Sequence, residues 1–511
     1  MNQSGTDGLV DVDQTGTIAG ASNSLVDQSG SDNETRVIQS AGNVAGDNAN
    51  LVNDSTVNQA GSENFASVNQ GNFGTPNNPS IDNVSLISQD GSNNDARLLQ
   101  RGDGNDSTID QIDTNNIARV RQQSNVDLNT SLLTQSGDSN EAMVDQMSDG
   151  NVSTVTQSGA FNTASVVQDA GSGVPNNESI VTQSGFGESA TVTQTGASNF
   201  SDVAQDGNFG IAIVTQSGDD NSSTVDQTSL DFVAPGSLVT VTQTGNGNNS
   251  DVAQLAAEST IDVTQTGNEN RSAVTQIAGA SSVTVAQDGD LNQSDVGQVA
   301  LGGIVDVDQT GDANVSTVGQ LGAAVAVDVS QNGNRNQSLV LEAGVGAAAV
   351  VSQTGNNNES NVGQIGALAL VTVTQIGNRN GSNVGQLGGG AVVTVAQVGN
   401  GHESTVGQLN GFSGDFGFVQ VQQFGGRHDS LVLQAGGNTE TQVTQAGSNH
   451  DSTVLQGGDA LYVEVNQTTT LNSSDVLQTG FDNALFVTQS TAGNVSDVDQ
   501  SGSMNVSFVT Q

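Results

Sequence analysis

Three histidines are the side chains in this sequence best suited to bind a metal or to take up a proton near neutral pH. His402, His428 and His450 each stand five residues after a glutamine, namely Gln397, Gln423 and Gln445. Elsewhere that place belongs to asparagine. If the three positions stack, the imidazoles form a column that could hold a transition metal or resist joint protonation. The preferred reading is simpler: histidine replaces asparagine as a polar turn residue. This column is the one metal candidate, and no cofactor is indicated. Acidic residues follow serines at Asp202, Asp251, Asp295, Asp475 and Asp497. On an outward face such charges act as gatekeepers against premature pairing. No calcium nonapeptide or EF-hand pattern accompanies them. Arg335, Arg379 and Arg427 fall four residues after a glutamine and offset local acidity in turns. Serine is abundant, yet no nucleophile elbow or partnered histidine is visible. Nothing converges as acid and base, so no catalytic residue is assigned and an enzyme is not expected.

The elements that would position these side chains repeat. Counting from Gln243, glutamines recur every eleven residues at Gln254, Gln265, Gln276, Gln287, Gln298, Gln309, Gln320 and Gln331, and the series continues to Gln408 with one break, at Glu342. The phase returns at Gln423 and runs to Gln511. Alternate arms differ, so the unit is 22 residues. One arm places asparagine at 248, 270, 292, 314, 336, 358 and 380, that is Asn248, Asn270, Asn292, Asn314, Asn336, Asn358 and Asn380. The same arm carries Ser250, Ser272, Ser294 and Ser316, then Val252, Val274, Val296 and Val318, each two residues apart from its neighbours. That spacing is strand alternation and argues against a helical reading of an eleven-residue period. The residues are β-branched, Gly or Asn, poor helix formers. Each arm is therefore a short strand with Ser, Val and Gln on one face, and the Gly–Asn segment turns the chain.

The arms lengthen at 14–28, 39–59, 70–89, 168–183, 227–243 and 408–423, and all four prolines, Pro76, Pro79, Pro175 and Pro235, fall in such gaps. The chain reads as one repeat domain over 1–511, less regular over 1–242, highly regular over 243–408, with a Phe-rich insertion at 409–422 and regular repeats over 423–511. Phe412, Phe416, Phe418 and Phe424 cluster in and beside that insertion, where they are expected to cover the stack locally.

Composition excludes several classes. Hydrophobic residues make up 33% and aromatics 3% of the 511 residues, too little for ordinary globular cores. Net charge is −45, with nine arginines and no lysine, which argues against nucleic acid or an anionic membrane as partner. No cysteine is present, and no apolar run reaches transmembrane length. The start, MNQSGTDGLV, does not read as a signal peptide.

One 22-residue unit cannot fold alone. Burying about four apolar side chains gives roughly 6–12 kcal/mol, whereas ordering the backbone costs roughly 20–40 kcal/mol. Stacking units at about 4.8 Å places identical residues over one another and lets each buried amide donate to one neighbour and accept from the other. The expected fold is an all-β cross-β solenoid with two short strands per rung joined by tight turns, roughly 100 Å long. The chain opens and closes in phase, so no cap is expected, and open edges would pair end to end into a filament.

The motif Gln287-x-Gly289-x-x-Asn292-x-Ser294-x-x-x-Gln298, with Ser272 displaced from the leading serine place, resembles the curlin repeats of bacterial curli fibres. The likeness covers nearly the whole chain. It implies an exported, self-assembling cross-β subunit of a biofilm matrix, lying outside the cell and serving adhesion and aggregation. It also implies a nucleator subunit and an outer-membrane secretion channel as partners. The alternative is a monomeric β-solenoid that binds a repetitive surface such as ice, or an adhesin stalk. Thr193/Thr195, Thr242/Thr244 and Thr264/Thr266 begin the Thr-x-Thr array such a surface needs, but it decays to Asp308/Thr310 and Ala396/Val398.

Overall fold

The computed structural model describes residues 1–16, 22–41, 52–71, 82–123, 128–170, 176–230, 236–410 and 416–511. The four prolines and Phe412 lie outside these residues. Every regular element among the described residues is a strand. The chain forms two compact units, Met1–Ser259 and Thr260–Gln511.

Each unit is a parallel β-solenoid with two strands per rung. A strand pairs with the strand two places on, so alternate strands build two separate sheets. In the first unit, Phe200–Asn208 lies against Ser222–Leu230, which lies against Asn249–Ala256. The 27-residue step from Val225 to Val252 keeps register, because the extra residues fall between strands. In the second unit, Arg271–Ile277 pairs with Gln293–Leu301, setting Ser272 on Ser294, Val274 on Val296 and Gln276 on Gln298. The next pairing sets Val296 on Val318 and Gln298 on Gln320. The partner sheet repeats this from Thr260–Thr266 onward, with Gln265 on Gln287 and Gln287 on Gln309.

Alternation along each strand decides what is buried. In Arg271–Ile277 the side chains of Ser272, Val274 and Gln276 point inward, and those between them point outward. Val274, Val296 and Val318 are at most 3% exposed, as are Val263, Val285 and Val307 of the facing sheet. The β-branched residues suit a pleated surface packed on one face.

Both corners of a rung turn in the same way. Gly289, two residues after Gln287, has φ 122°. A Cβ there would stand 2.2 Å from the carbonyl oxygen of Gly311 on the next rung, so only glycine allows the close approach. Four residues after each glutamine the chain is left-handed again, at Glu269, Leu291, Ala313 and Arg335 in one corner and at Gly302, Ala324 and Leu368 in the other.

Candidate functional site

The inward polar columns are the candidate site, because they fix how one rung receives the next. Glutamine comes first. In the second unit Gln265 Nε2 donates to Gln287 Oε1 at 2.8 Å, Gln287 to Gln309 at 2.9 Å, and Gln309 to Gln331 at 2.8 Å. The other sheet repeats this from Gln276 to Gln298 at 2.8 Å and from Gln298 to Gln320 at 2.7 Å. In the first unit Gln216 donates to Gln243 and Gln227 to Gln254. The second amide hydrogen crosses the core. Gln287 Nε2 donates to Arg271 O at 3.0 Å and Gln309 Nε2 to Gln293 O at 2.9 Å, tying each sheet to the start of a strand in the other.

The asparagine column runs with the opposite sense. Asn292 donates its backbone N–H to Asn270 Oδ1 at 2.9 Å and its Nδ2 to Gly311 O at 2.7 Å. Asn314, Asn336, Asn358 and Asn380 each donate a backbone N–H to the asparagine one rung earlier. Asn248 does so to Asn221 in the first unit. The first unit carries asparagine at both corners: Asn105 and Asn129 serve one sheet, Asn94 and Asn116 the other. In the second unit the opposite corner instead holds the small apolar group Ala300, Val325, Ala347 and Ala369.

Serine stacks without laddering. Ser250, Ser272, Ser294 and Ser316 are buried, and none of their hydroxyls has a hydrogen-bond partner. Their small size fits the narrow space, but the group is left unsatisfied at a cost of about 1–3 kcal/mol each. Glu342 takes a glutamine place, 2% exposed. Burial pushes its carboxyl up to about 7, and the nearby Gln320 amide offsets only part of that. Gln364 Oε1, one rung on, has no donor.

The three histidines sit in the asparagine column. Their rings stack with centroids 4.9 Å apart, His402 on His428 and His428 on His450. Nδ1 replaces asparagine Oδ1: it accepts from His450 N and Asn472 N, at 3.3 Å in each case. Nε2 replaces Nδ2: it faces Phe424 O at 2.9 Å in His428 and Ala446 O at 3.1 Å in His450. These partners assign the neutral Nε2–H tautomer. Both ring nitrogens of His428 and His450 are thus engaged with backbone, which leaves no lone pair free for a metal. Among the described residues no group of three or more His, Asp or Glu side chains is disposed to hold a metal ion.

Burial lowers all three imidazoles, and the neighbouring rings add to it at His428, which drops to about 4. A depressed value means the unfolded chain binds protons first. The stability contributed by the neutral rings is complete above pH 6.5 and is lost as pH falls toward about 4. Replacing His402, His428 and His450 together by Asn should therefore leave stability within about 1 kcal/mol at pH 7.5 and raise it by on the order of 2–4 kcal/mol at pH 5, His428 supplying about half or more of that. Hydrogen exchange of the rungs from 403 to 472 at the two pH values measures this.

Outward residues divide differently. Asp251, Asp475 and Asp497 are exposed, Asp202 and Asp295 half-buried. Asp475 stacks on Asp497. Burial and then Asp226 raise the Asp202 carboxyl. Arg335, Arg379 and Arg427 occupy the left-handed corner position. The expected phenylalanine cover is not what forms. Phe416, just before the strand, is 70% exposed, and within Gly417–Gly426 the inward places go to Val419, Val421 and Gln423, which leaves Phe418 half-buried and Phe424 40% exposed.

An in-register parallel solenoid whose buried amides bond rung to rung defines a class of repeat protein built to stack. The family model described as curlin associated repeat matches residues 82–123, 127–159, 175–207, 235–267 and 256–289. Curlin repeats are thus found in five segments of the chain. No curated protein matches it significantly. Within the repeat motif, the leading serine belongs six residues before Gln287, and that residue is Ser281 rather than Ser272. Ser281 sits in the corner opposite the asparagine column, and its hydroxyl donates to Gly279 O at 3.2 Å.

Proposed function

We propose that this chain is a structural subunit that assembles end to end into curli-type, amyloid-like fibres outside the cell, where they serve adhesion and cell aggregation in a biofilm matrix. The curlin-repeat family is an extracellular, structural one. The supporting observation is the register: glutamine lies on glutamine and valine on valine at each step. A rung at an open edge offers an incoming copy the same amides, carbonyls and apolar column that it offers its own neighbour. Assembly is then templating, in which an ordered edge fixes a disordered chain one rung at a time. A nucleator subunit and an outer-membrane channel are proposed as partners. Nucleic acid and membrane insertion are not.

The test is dilution of the full chain from denaturant. Unbranched fibres with a meridional reflection near 4.8 Å are expected, and fragmented fibres should shorten the lag of a fresh solution. Protein that folds, stays monodisperse and ignores seeds would overturn the reading.

A further inference from the structure

One outward face of the second unit carries a pattern that folding of a single copy requires only in part. On each strand of the sheet containing Gln293–Leu301, one outward residue precedes the ladder position and one follows it. On three successive rungs these are Gly363 and Ile365, Gly385 and Leu387, Gly407 and Leu409. At either end the order inverts: Leu341 stands with Ala343, and Leu433 with Ala435. Each rung thus holds one large and one small residue. A groove of about 820 Å³ follows the glycines, walled by Ile365, Leu387 and Leu409 and closed by Leu341 and Leu433. These walls are 39–57% exposed.

Two of the three glycines are not demanded by the fold of one copy; at Gly407 a Cβ would stand 2.8 Å from Leu433 Cδ2, so that space is taken within the copy itself. A Cβ at Gly363 would meet nothing within 4 Å, and one at Gly385 only Val406 O at 4.0 Å. Neither residue has positive φ. Glycine inside a strand weakens it and marks a place where something else approaches closely. Charge points the same way. From Thr317 to Gly457, the outward residues on the groove and one place before it are uncharged, with Asp295 and Asp475 bounding that column, while Glu359, Glu403, Asp429 and Asp451 stand at the strand starts, two outward places from the groove. In a chain of net charge −45, close approach of two copies is least opposed across such a stretch.

We propose that two copies pair laterally across this stripe, face to face about a two-fold axis parallel to the stacking direction. That operation sets the residue before the ladder position in one copy opposite the residue after it in the other, at the same level. Ile365 then fills the space over the second copy's Gly363, and Leu387 that over its Gly385. Leu341 meets Ala343, and Leu433 meets Ala435. A foreign apolar peptide could enter the groove, but it would not repeat the inversion at both ends; a second copy does so by symmetry. The matching rungs run from 297 to 477, nine in all. At about 4.8 Å per rung and about 12 Å of width they bury on the order of 1,000 Å² in total, the lower range of specific interfaces.

The inference is independent of end-to-end growth, since pairing changes width and growth changes length. The chain has no native cysteine, so full-length Gly385→Cys and Leu387→Cys proteins can be mixed and treated with a short bis-maleimide. Cross-links between the two variants should exceed those within either variant at least five-fold. Gly385→Leu alone should weaken pairing at least ten-fold, and Gly385→Leu with Leu387→Gly should restore it, because that rung then repeats the order of Leu341 and Ala343. Hydrogen exchange of the same rung checks that each variant is folded. Statistical cross-linking, as from a groove kept for another ligand, would overturn the proposal, and so would a double variant no better than the single. Long fibres that remain one solenoid wide would also overturn it while leaving the proposed function intact.

Discussion

Gln287→Ala should destabilise the second unit by about 3–6 kcal/mol, the largest loss expected from any single ladder substitution. The side chain accepts from Gln265 and donates to Gln309 and to Arg271 O. Alanine removes all three contacts. The Gln265 donor, the Gln309 acceptor and the Arg271 carbonyl stay buried, and each costs about 1–3 kcal/mol when it loses its partner. No water-filled space replaces them, because Gln265 and Gln309 are fully buried above and below. Thr284→Ala on the same strand is the control: its side chain points outward, so the change should stay within about 0.5 kcal/mol. Guanidinium melts of both variants measure the contrast. A Gln287→Ala loss no larger than that of the control would mean that the amide column does not hold the rungs together.

The fold was legible because glutamine spacing and register are the same fact. An interval of 22 between like residues becomes a stack only if strands two apart pair in parallel, and the intervening Ser-x-Val-x-Gln pattern says which face turns inward. The conformation of the corners was half legible. Gly289 announces its positive φ, but Leu291, Ala313 and Glu269 do not. Their left-handed conformation is imposed by the stack itself, through bonds such as Leu291 N to Asn268 O and Ala313 N to Asp290 O. The place of the histidines was legible and their role was not, since only coordinates show Nδ1 and Nε2 reproducing the acceptor and donor of asparagine. Ser294 shows the reverse: its period marks it as inward, yet nothing in the period reveals that its hydroxyl goes unpaired. Phe418 and Phe424 misled because aromatic clustering suggests cover, while strand alternation had already assigned them outward.

Glu342 offers the second large effect, and its sign is opposite. A protonated carboxyl has one donor and one acceptor, as an amide does along the column, and so imitates glutamine. A carboxylate has no donor, and Gln364 Oε1 is then left without one. The folded value near 7 lies above the ordinary 4.5, so the contribution of the neutral acid is complete below pH 4.5 and is lost as pH rises through about 7. Glu342→Gln should accordingly be neutral near pH 4 and stabilising by about 2–3 kcal/mol at pH 8, where it supplies the missing donor and removes a buried charge. The histidine column gains stability over part of the same interval as pH rises, so a whole-chain melt would blend two opposed slopes. Hydrogen exchange confined to the rungs from 320 to 386 separates them. There the wild type should lose protection between pH 5 and 8, and the variant should hold it. Equal protection in both proteins at pH 8 would show that the column tolerates a carboxylate, and that the break at Glu342 carries no cost.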